Sequence, residues 1–294
     1  MPDNKTIRHQ KTHTIGVIVH RLDSYFITSA LKGIEDAVAG SGYELIVTHS
    51  QESMEKEVAN ARLLFDNKVV GVIASLSMGT KGLGHFKAFT NEGVPIVFFD
   101  RVAEMGESDQ VVIDNTGCGY LATEHLIRQG CKRIVLITSS LERNVYAQRY
   151  EGYRTALEKY GIPFTRELLI LEDPDKEAGL DAAIQIRQMS PMPDGLFITN
   201  DLAAAMCMHG LKEAGIRVPE DIAIVGFNND PVGRLITPTL TTIDYPGYEM
   251  GRSAAVSLLD RLAGGKVVVG CKTTIIPSGL IVRKSSIKAA HIFA

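Results

Sequence analysis

The sequence lacks the cysteine pattern of a secreted protein, a signal peptide and a membrane-spanning segment. Its four cysteines form no CxxC pair, and the chain does not open on a charged segment followed by an apolar core and a cleavage site. We therefore expect reduced thiols and a cytoplasmic protein, not a secreted disulfide framework. No apolar run approaches the roughly 20 residues that a membrane-spanning helix requires, so no membrane partner is expected. The cysteines are Cys118, Cys131, Cys207 and Cys271.

An excess of positive charge is missing too. The 294 residues carry 31 Lys and Arg against 34 Asp and Glu, a net charge of −3 at pH 7. Such a chain has no general attraction for the phosphates of nucleic acid. Residues 1–13 are the exception, with Lys5, Arg8 and Lys11, and we interpret them as a hinge remnant or a tag-like lead.

Motifs of catalysis and cofactor binding are scarce as well. The chain contains no P-loop, no GxSxG and no HExxH, and its eight histidines form no cluster with metal-ligand spacing. Gly117, Gly119 and Ala122 match the GxGxxA pattern of dinucleotide sites, but the next strand ends in serines where that pattern needs an acid. We favour glycines that let the chain pass from a strand into a helix. The sequence thus predicts no enzyme, no cofactor and no metal.

The strongest positive feature is an internal repeat. Each half has a strand-like run, a helix with a glycine near its middle, and two further strands that end in polar residues. The two glycines, Gly33 and Gly152, are 119 residues apart, and Asp100 and Asn228, which end the last strands, are 128 apart. Strands alternating with helical segments predict two similar α/β lobes with parallel sheets. The strand-like runs are 14–19, 69–77 and 95–100 in the first half, and 133–140, 194–201 and 222–228 in the second.

Polar residues at strand ends are the first candidates for ligand contacts. Ligands of open parallel sheets bind beyond the carboxyl ends of the strands, and two such lobes can enclose a ligand between them. Helix N-capping competes for these residues, and for Asp201 we weigh the two roles equally. The candidates are Asp100, Asn200, Asp201 and Asn228. His20 also ends a strand and is the one histidine that we expect near such a ligand.

Two further side chains fit a polar ligand. Phe26 follows the first strand on the loop that leads into the first helix, where a ring can stack on a sugar or a base, although a core position is the alternative. Arg149 directly precedes the apolar stripe of the helix in the second half. Its fixed set of donors suits hydroxyl pairs or carboxylates, and an exposed structural salt bridge is the alternative.

Several longer motifs resemble one family over residues 11–286. That family is the LacI/GalR transcriptional regulators, and the part resembled is their effector-binding core. The long Asn-Asp to Gly-Phe segment is the most specific of the motifs. They read KTHTIGVIV, PIVFFDR, DNTGCGYLATEHL, RYEGYRTAL, TNDLAAAMCMHGLKEAGIRVPEDIAIVGFNND, LTTIDYPGYEMG and LIVRKSS.

The resemblance implies a two-lobed, type I periplasmic-binding-protein-like fold and a role in sensing a small polar effector, a sugar or a derivative. Two residues depart from the family: Asn228 stands where an Asp is usual, and Tyr245 where a Gln or similar residue is common. The charge lost at 228 argues against a typical hexose site. The resemblance gives Phe26 the position of the aromatic that stacks on the effector, and it gives polar contacts to Asp100, Arg149 and Asn200. We expect the effector site to centre on these four residues and Asn228, with Ser75, Ser77 and Tyr245 lining it.

The family also implies a domain organisation and partners. We expect an N-terminal lobe of residues 14–113 and 244–271, a C-terminal lobe of 114–243 and 272–286, and a tail of 287–294. Only about 13 residues precede the core, so we expect the helix-turn-helix domain to be missing, with operator DNA bound only through it. The core is expected to form a homodimer. A periplasmic-type sugar-binding protein of a transport system is the alternative, and an enzyme on this scaffold is a third possibility that lacks a nucleophile and base.

Overall fold

The chain forms two units, each with its own sheet. The computed structural model describes residues 13–103, 108–172, 178–264 and 270–288; nearly all of the predicted lead and the tail beyond 288 lie outside them. Unit 1 comprises the described residues up to Val111 and Tyr248–Thr274, and unit 2 comprises Val112–Gly247 and those from Ile275 onward. The sequence predicted that the chain passes from one lobe to the other after residues 113, 243 and 271. In the structure it passes between the units after residues 111, 247 and 274.

Unit 1 is built on a six-stranded sheet flanked by helices. Its strands are β1 (Thr14–Val19), β2 (Glu44–His49), β3 (Gly71–Ala74), β4 (Ile96–Phe99), β5 (Asp109–Val112) and β11 (Thr273–Ile275). Its helices are α1 (Tyr25–Val38), α2 (Met54–Asp66), α3 (Lys87–Asn91) and α9 (Gly247–Leu262), with a 3-10 turn at Gly84–Phe86. The strand order is β11-β5-β4-β3-β1-β2, and strands β1 to β5 pair in parallel.

Unit 2 has a sheet of the same size. Its strands are β6 (Ile134–Thr138), β7 (Leu169–Leu171), β8 (Gly195–Ile198), β9 (Ala223–Asn228), β10 (Thr241–Asp244) and β12 (Leu280–Ile281). Its helices are α4 (Asn115–Arg128), α5 (Asn144–Lys159), α6 (Ala178–Gln188), α7 (Asp201–Glu213) and α8 (Val232–Leu235), with a 3-10 turn at Arg166–Leu168. The order is β12-β10-β9-β8-β6-β7; β6 to β10 pair in parallel, and β12 is antiparallel to β10.

The two sheets share one topology, which confirms the predicted fold class. The two strand orders are identical when β1 to β5 are matched with β6 to β10, and β11 is matched with β12. Strand β11 borders β5 in unit 1, whereas β12 borders β10 in unit 2. The chain therefore adds one terminal strand to each sheet.

The repeated glycines allow helices to cross closely. A Cβ atom added at Gly33 of α1 would lie 2.0 Å from the carbonyl oxygen of Tyr248 at the start of α9. One added at Gly152 of α5 would lie 2.0 Å from the carbonyl oxygen of Thr116 in α4. Both distances are shorter than any van der Waals contact, so each crossing requires a residue without a side chain. The repeat thus marks one helix crossing in each unit.

Glycine also ends both of these helices. Gly161 follows the last turn of α5 with φ of +66°, as expected of a left-handed residue after a C-cap. Helix α1 ends at Val38 with Ala39 as its C-cap. Gly40, with φ of +76°, is the residue that follows this cap.

Continuous apolar strands place a core in each unit. In unit 1, Phe86 packs edge to face against Phe98 of β4, with ring centroids 5.3 Å apart. In unit 2, Tyr153 is fully buried and its hydroxyl donates a hydrogen bond to the carbonyl of Ile134, at 2.8 Å. Within the four described segments, no helix is long and apolar enough to cross a membrane.

Candidate functional site

Three predicted residues of unit 1 are joined by hydrogen bonds at the carboxyl ends of its strands. Ser75 follows β3, and its hydroxyl donates to Oδ2 of Asp100, which follows β4, at 3.1 Å. The same hydroxyl lies 3.2 Å from Nδ1 of His20, which follows β1. All three side chains are buried. Burial, followed by the charges of Arg101 and Arg21, holds the pKa of His20 well below its usual value, so a neutral imidazole adjoins a carboxylate that can accept from a ligand.

The backbone of Asp100 is unusual. Its φ is +61°, in the left-handed region that Asp and Asn tolerate better than other side chains do. This turn follows β4 directly, and the backbone N–H of Asp100 donates to the carbonyl of Val111 in β5. The left-handed turn therefore places Asp100 directly beyond the carboxyl end of β4, next to β5.

Phe26 and Ser77 lie in other surroundings than the sequence predicted. Phe26 is the second residue of α1, not a residue of the preceding loop, and is buried. Ser77 is buried with its hydroxyl 2.8 Å from that of Thr80. Its backbone N–H donates to the buried carboxylate of Glu57 at 2.6 Å, which also accepts from Thr80 and contacts His85 Nε2. Thus the structure brings Ser75 and Asp100 together and directs the hydroxyl of Ser77 elsewhere.

In unit 2 the predicted Arg149 is buried, with 3% of its surface exposed. Its Nε donates to Oδ1 of Asn115 at 2.9 Å and its Nη1 to the carbonyl of Thr199 at 3.3 Å. The guanidinium carbon lies 3.6 Å from the ring centroid of Phe227 and 5.0 Å from that of Tyr245. Cation–π attraction is strongest where water is excluded. The alternative of an exposed surface salt bridge is therefore wrong.

The predicted Asn200 and Asn228 also lie at strand ends. Asn200 caps α7, its Oδ1 accepting from the N–H of Ala203 at 2.9 Å, and its side chain is exposed. Asn228 ends β9 with φ of +125°, and its Nδ2 donates to Oδ2 of Asp230 at 3.3 Å. The cap uses only the Oδ1 atom of Asn200, so the Nδ2 group of this side chain can still donate to a ligand.

Asp201, weighed equally as a cap and as a ligand contact, has another role. It is fully buried; Oδ1 accepts from the hydroxyl of Thr242 at 2.7 Å and Oδ2 from the N–H of Asp230 at 2.8 Å. Burial, with the nearby charge of Asp230, raises the pKa of Asp201 to about 7. Burial likewise raises the pKa of Asp230 to about 6. Asp201 thus joins the start of α7 to β9 and β10.

Three residues that contact Arg149 were not predicted from the sequence as part of the site. They are Asn115, Thr199 and Phe227, and each lies next to a motif that was noticed. Asn115 opens the helix of DNTGCGYLATEHL, Thr199 precedes Asn200, and Phe227 precedes Asn228. Since α5 and α4 are 34 residues apart at the Arg149–Asn115 contact, no local pattern joins them.

The glycines that resemble a dinucleotide motif serve packing. A Cβ at Gly119 would lie 2.3 Å from the carbonyl oxygen of Arg149. Asp114 caps α4 by accepting from the N–H of Gly117 at 2.8 Å, which places a carboxylate where a pyrophosphate would need to bind. Among the residues that the structure describes, no group of three or more His, Cys, Asp or Glu could hold a metal ion.

Comparison with known proteins identifies close relatives. Residues 123–286 match the periplasmic binding protein-like domain family. The HTH-type transcriptional repressor PurR of Vibrio atlanticus (strain LGP32) is 29% identical over 258 residues, which cover 88% of this chain and 77% of the repressor. The repressor of the same name from Yersinia pestis bv. Antiqua (strain Antiqua) is 30% identical over 260 residues, covering 88% and 76%.

Solved structures agree with these relatives. The complex of the transcriptional regulator CelR with cellobiose superposes with a TM-score of 0.85 at 27% identity, covering 94% of this chain and 85% of that one. A LacI family transcriptional regulator from Enterococcus faecium with bound ribose has a TM-score of 0.83 at 29% identity, covering 94% and 99%.

The relatives are transcriptional repressors and regulators, not enzymes. They also do not favour the alternative of a sugar-binding protein of a transport system. The family match spans more than half of the chain, and the PurR of Yersinia pestis is similar over most of its length. This chain therefore belongs to the LacI/GalR family of transcriptional regulators and contains their ligand-sensing, periplasmic-binding-protein-like core.

Proposed function

We propose that this chain senses a small polar effector, a carbohydrate or a carbohydrate derivative. The observation that carries the proposal is Arg149, a buried guanidinium at the carboxyl end of the unit 2 sheet with aromatic rings beside it. Its Nη2 makes no hydrogen bond with any described residue of unit 2. A ligand oxygen can accept from this nitrogen. The cellobiose and ribose bound to two structural neighbours support the ligand class.

The remaining predicted residues have roles in this proposal that follow from their surroundings. Asp100 accepts from a ligand hydroxyl, and Ser75 orients its carboxylate. Phe26 and Tyr245 offer apolar surface to a sugar ring. Asn200 and Asn228 donate through their amides. Because the hydroxyl of Ser77 already bonds to Thr80, Ser77 contributes by positioning the loop after β3.

The proposal includes coupling to DNA in the full-length regulator. The effector binds one conformation of the regulator more tightly than another. Such differential affinity is what allostery requires, and it alters the affinity for operator DNA. The helix-turn-helix repressors among the relatives support this step, and with it a cytoplasmic location.

A homodimer is the proposed assembly. Leu235 at the end of α8 is 83% exposed, and dimer interfaces bury apolar side chains of this kind. We expect sedimentation equilibrium to give twice the mass of the chain, and the variant Leu235→Asp to dissociate at higher concentration than the unchanged protein. A monomer at micromolar concentration would contradict the proposal, and an unchanged dimer in Leu235→Asp would place the interface elsewhere.

A ligand screen tests the proposed function. The screen contains neutral sugars, sugar acids, sugar phosphates, nucleobases and amino acids. We expect at least one compound of the three carbohydrate classes to raise the melting temperature of the protein. A ligand at a hundred times its Kd adds about 2.7 kcal/mol to the free energy of unfolding, which is readily detected. Stabilisation only by a nucleobase or an amino acid would reject the carbohydrate class, and no stabilisation by any class would contradict effector sensing.

A further inference from the structure

We propose that the effector carries an anionic group, a carboxylate or a phosphate, that binds Arg149. This inference rests on the proposed effector site and narrows its ligand class. It follows from the charge and the hydrogen bonds that surround the guanidinium in unit 2.

The first observation is the missing counter-ion. No described carboxylate of unit 2 lies within 4.0 Å of a nitrogen of Arg149, although the side chain is almost fully buried. Its hydrogen-bond acceptors in unit 2 are neutral oxygens, Oδ1 of Asn115 and the carbonyl of Thr199. A buried charge is costly unless it is paired and hydrogen-bonded. An anion on the ligand would supply the missing pair.

The second observation is a pair of unused donors. Nη2 of Arg149 makes no hydrogen bond within unit 2, and Nδ2 of Asn115 is buried without a partner. The two side chains already touch, because Nε donates to Oδ1 at 2.9 Å. A carboxylate or a phosphate has several acceptor oxygens and no need to donate, and guanidinium groups bind such anions with fixed geometry. A sugar hydroxyl can accept one of these bonds but leaves the charge unpaired.

The third observation concerns the carboxylates that could have paired with Arg149. Both carboxylate oxygens of Asp201 are taken by Thr242 and by the N–H of Asp230. Asp230 is bonded to Asn228 through Oδ2. Asn228 itself, next to Phe227 at the end of β9, is neutral. Burial raises the pKa of Asp201 to about 7, so it is ionised in only part of the molecules at neutral pH.

Inorganic phosphate is the first probe, and it needs no knowledge of the effector. Melting temperatures are compared in phosphate and in chloride at equal ionic strength, for the unchanged protein and for Arg149→Gln. Phosphate also strengthens apolar burial in any protein, so the difference between the two proteins is the readout. We expect a saturable rise in the unchanged protein that Arg149→Gln lacks. Equal rises in both would mean an adventitious ion only and would overturn the inference.

Matched ligands are the second probe. Calorimetry compares glucose with glucuronate and glucose 6-phosphate, and ribose with ribose 5-phosphate. We expect the charged member of a pair that binds to do so about ten- to hundred-fold more tightly, as charge-assisted hydrogen bonds allow, and Arg149→Gln to lose this preference. A neutral sugar that binds more tightly than its charged partner would overturn the anionic group and leave the proposed function standing. Where no member of a pair binds, the phosphate comparison decides.

Discussion

The variant Gly152→Ala is expected to lose about 3 kcal/mol of its unfolding free energy, at the upper end of what overpacking costs. The new Cβ would lie 2.0 Å from the carbonyl oxygen of Thr116 and 2.6 Å from the backbone nitrogen of Tyr120. Both are backbone atoms of α4 and cannot rotate aside, so α4 and α5 must move apart. The gain in helix propensity from Gly to Ala, about 1 kcal/mol, offsets only part of this cost.

Urea unfolding measures this effect, and Gly82→Ala is the matched control. Gly82 is exposed, and a Cβ added there meets no atom within 4 Å. We expect Gly82→Ala to stay within about 0.5 kcal/mol of the unchanged protein. A Gly152→Ala protein as stable as this control would show that the close crossing of α4 and α5 does not exist in solution.

The variant Arg149→Ala is expected to bind the effector about ten- to hundred-fold more weakly, equivalent to about 1.5–3 kcal/mol for hydrogen bonds to a charged group. The affinity falls because the ligand loses its bond to the guanidinium. The carbonyl of Thr199 and Oδ1 of Asn115 also lose their donors, which lowers the free energy of unfolding and not the affinity. Calorimetry with a ligand from the screen gives the affinity, and urea unfolding shows whether the protein remains folded.

A second arginine of the same helix is the control for Arg149. Arg154 also lies in α5, but it is exposed and stacks on the ring of Phe164 at 4.3 Å. We expect Arg154→Ala to leave the affinity unchanged. If Arg149→Ala binds as tightly as Arg154→Ala, the effector does not contact Arg149, and a lower stability of Arg149→Ala alone would show that the residue serves packing.

The sequence predicted the sheets better at their centres than at their edges. Central strands such as β3 and β8 are buried throughout, so they read as continuous apolar runs. Strand β2 (Glu44–His49) is half exposed and β7 (Leu169–Leu171) has three residues, and both lie at sheet edges. Half of the β2 residues are polar, and the three residues of β7 are too few to form a recognisable strand pattern, which explains why the sequence interpretation missed these two.

The polar strand ends show the same limit at the level of single residues. The sequence alone determined that Asp100 and Asn228 follow strands, since an apolar run must end where the chain leaves the core. It also determined the repeat, because the two glycines and the two strand ends recur at nearly equal spacing. The roles of these residues depend on neighbours distant in sequence. Only the tertiary structure decided that Asp201, the first residue of α7, is buried against Thr242 of β10, where burial raises its pKa to about 7.

Arg149 depended most on the tertiary structure. From the sequence it was equally a ligand-binding group and an exposed salt bridge, because a single Arg before a helix stripe does not reveal which way it faces. Its burial follows from the close crossing of α4 and α5, which brings Asn115 to its Nε, and from the ring of Phe227 in β9. Both contacts join segments more than thirty residues apart. Local periodicity carries no information about such contacts, which arise only when helices and strands pack around a common core.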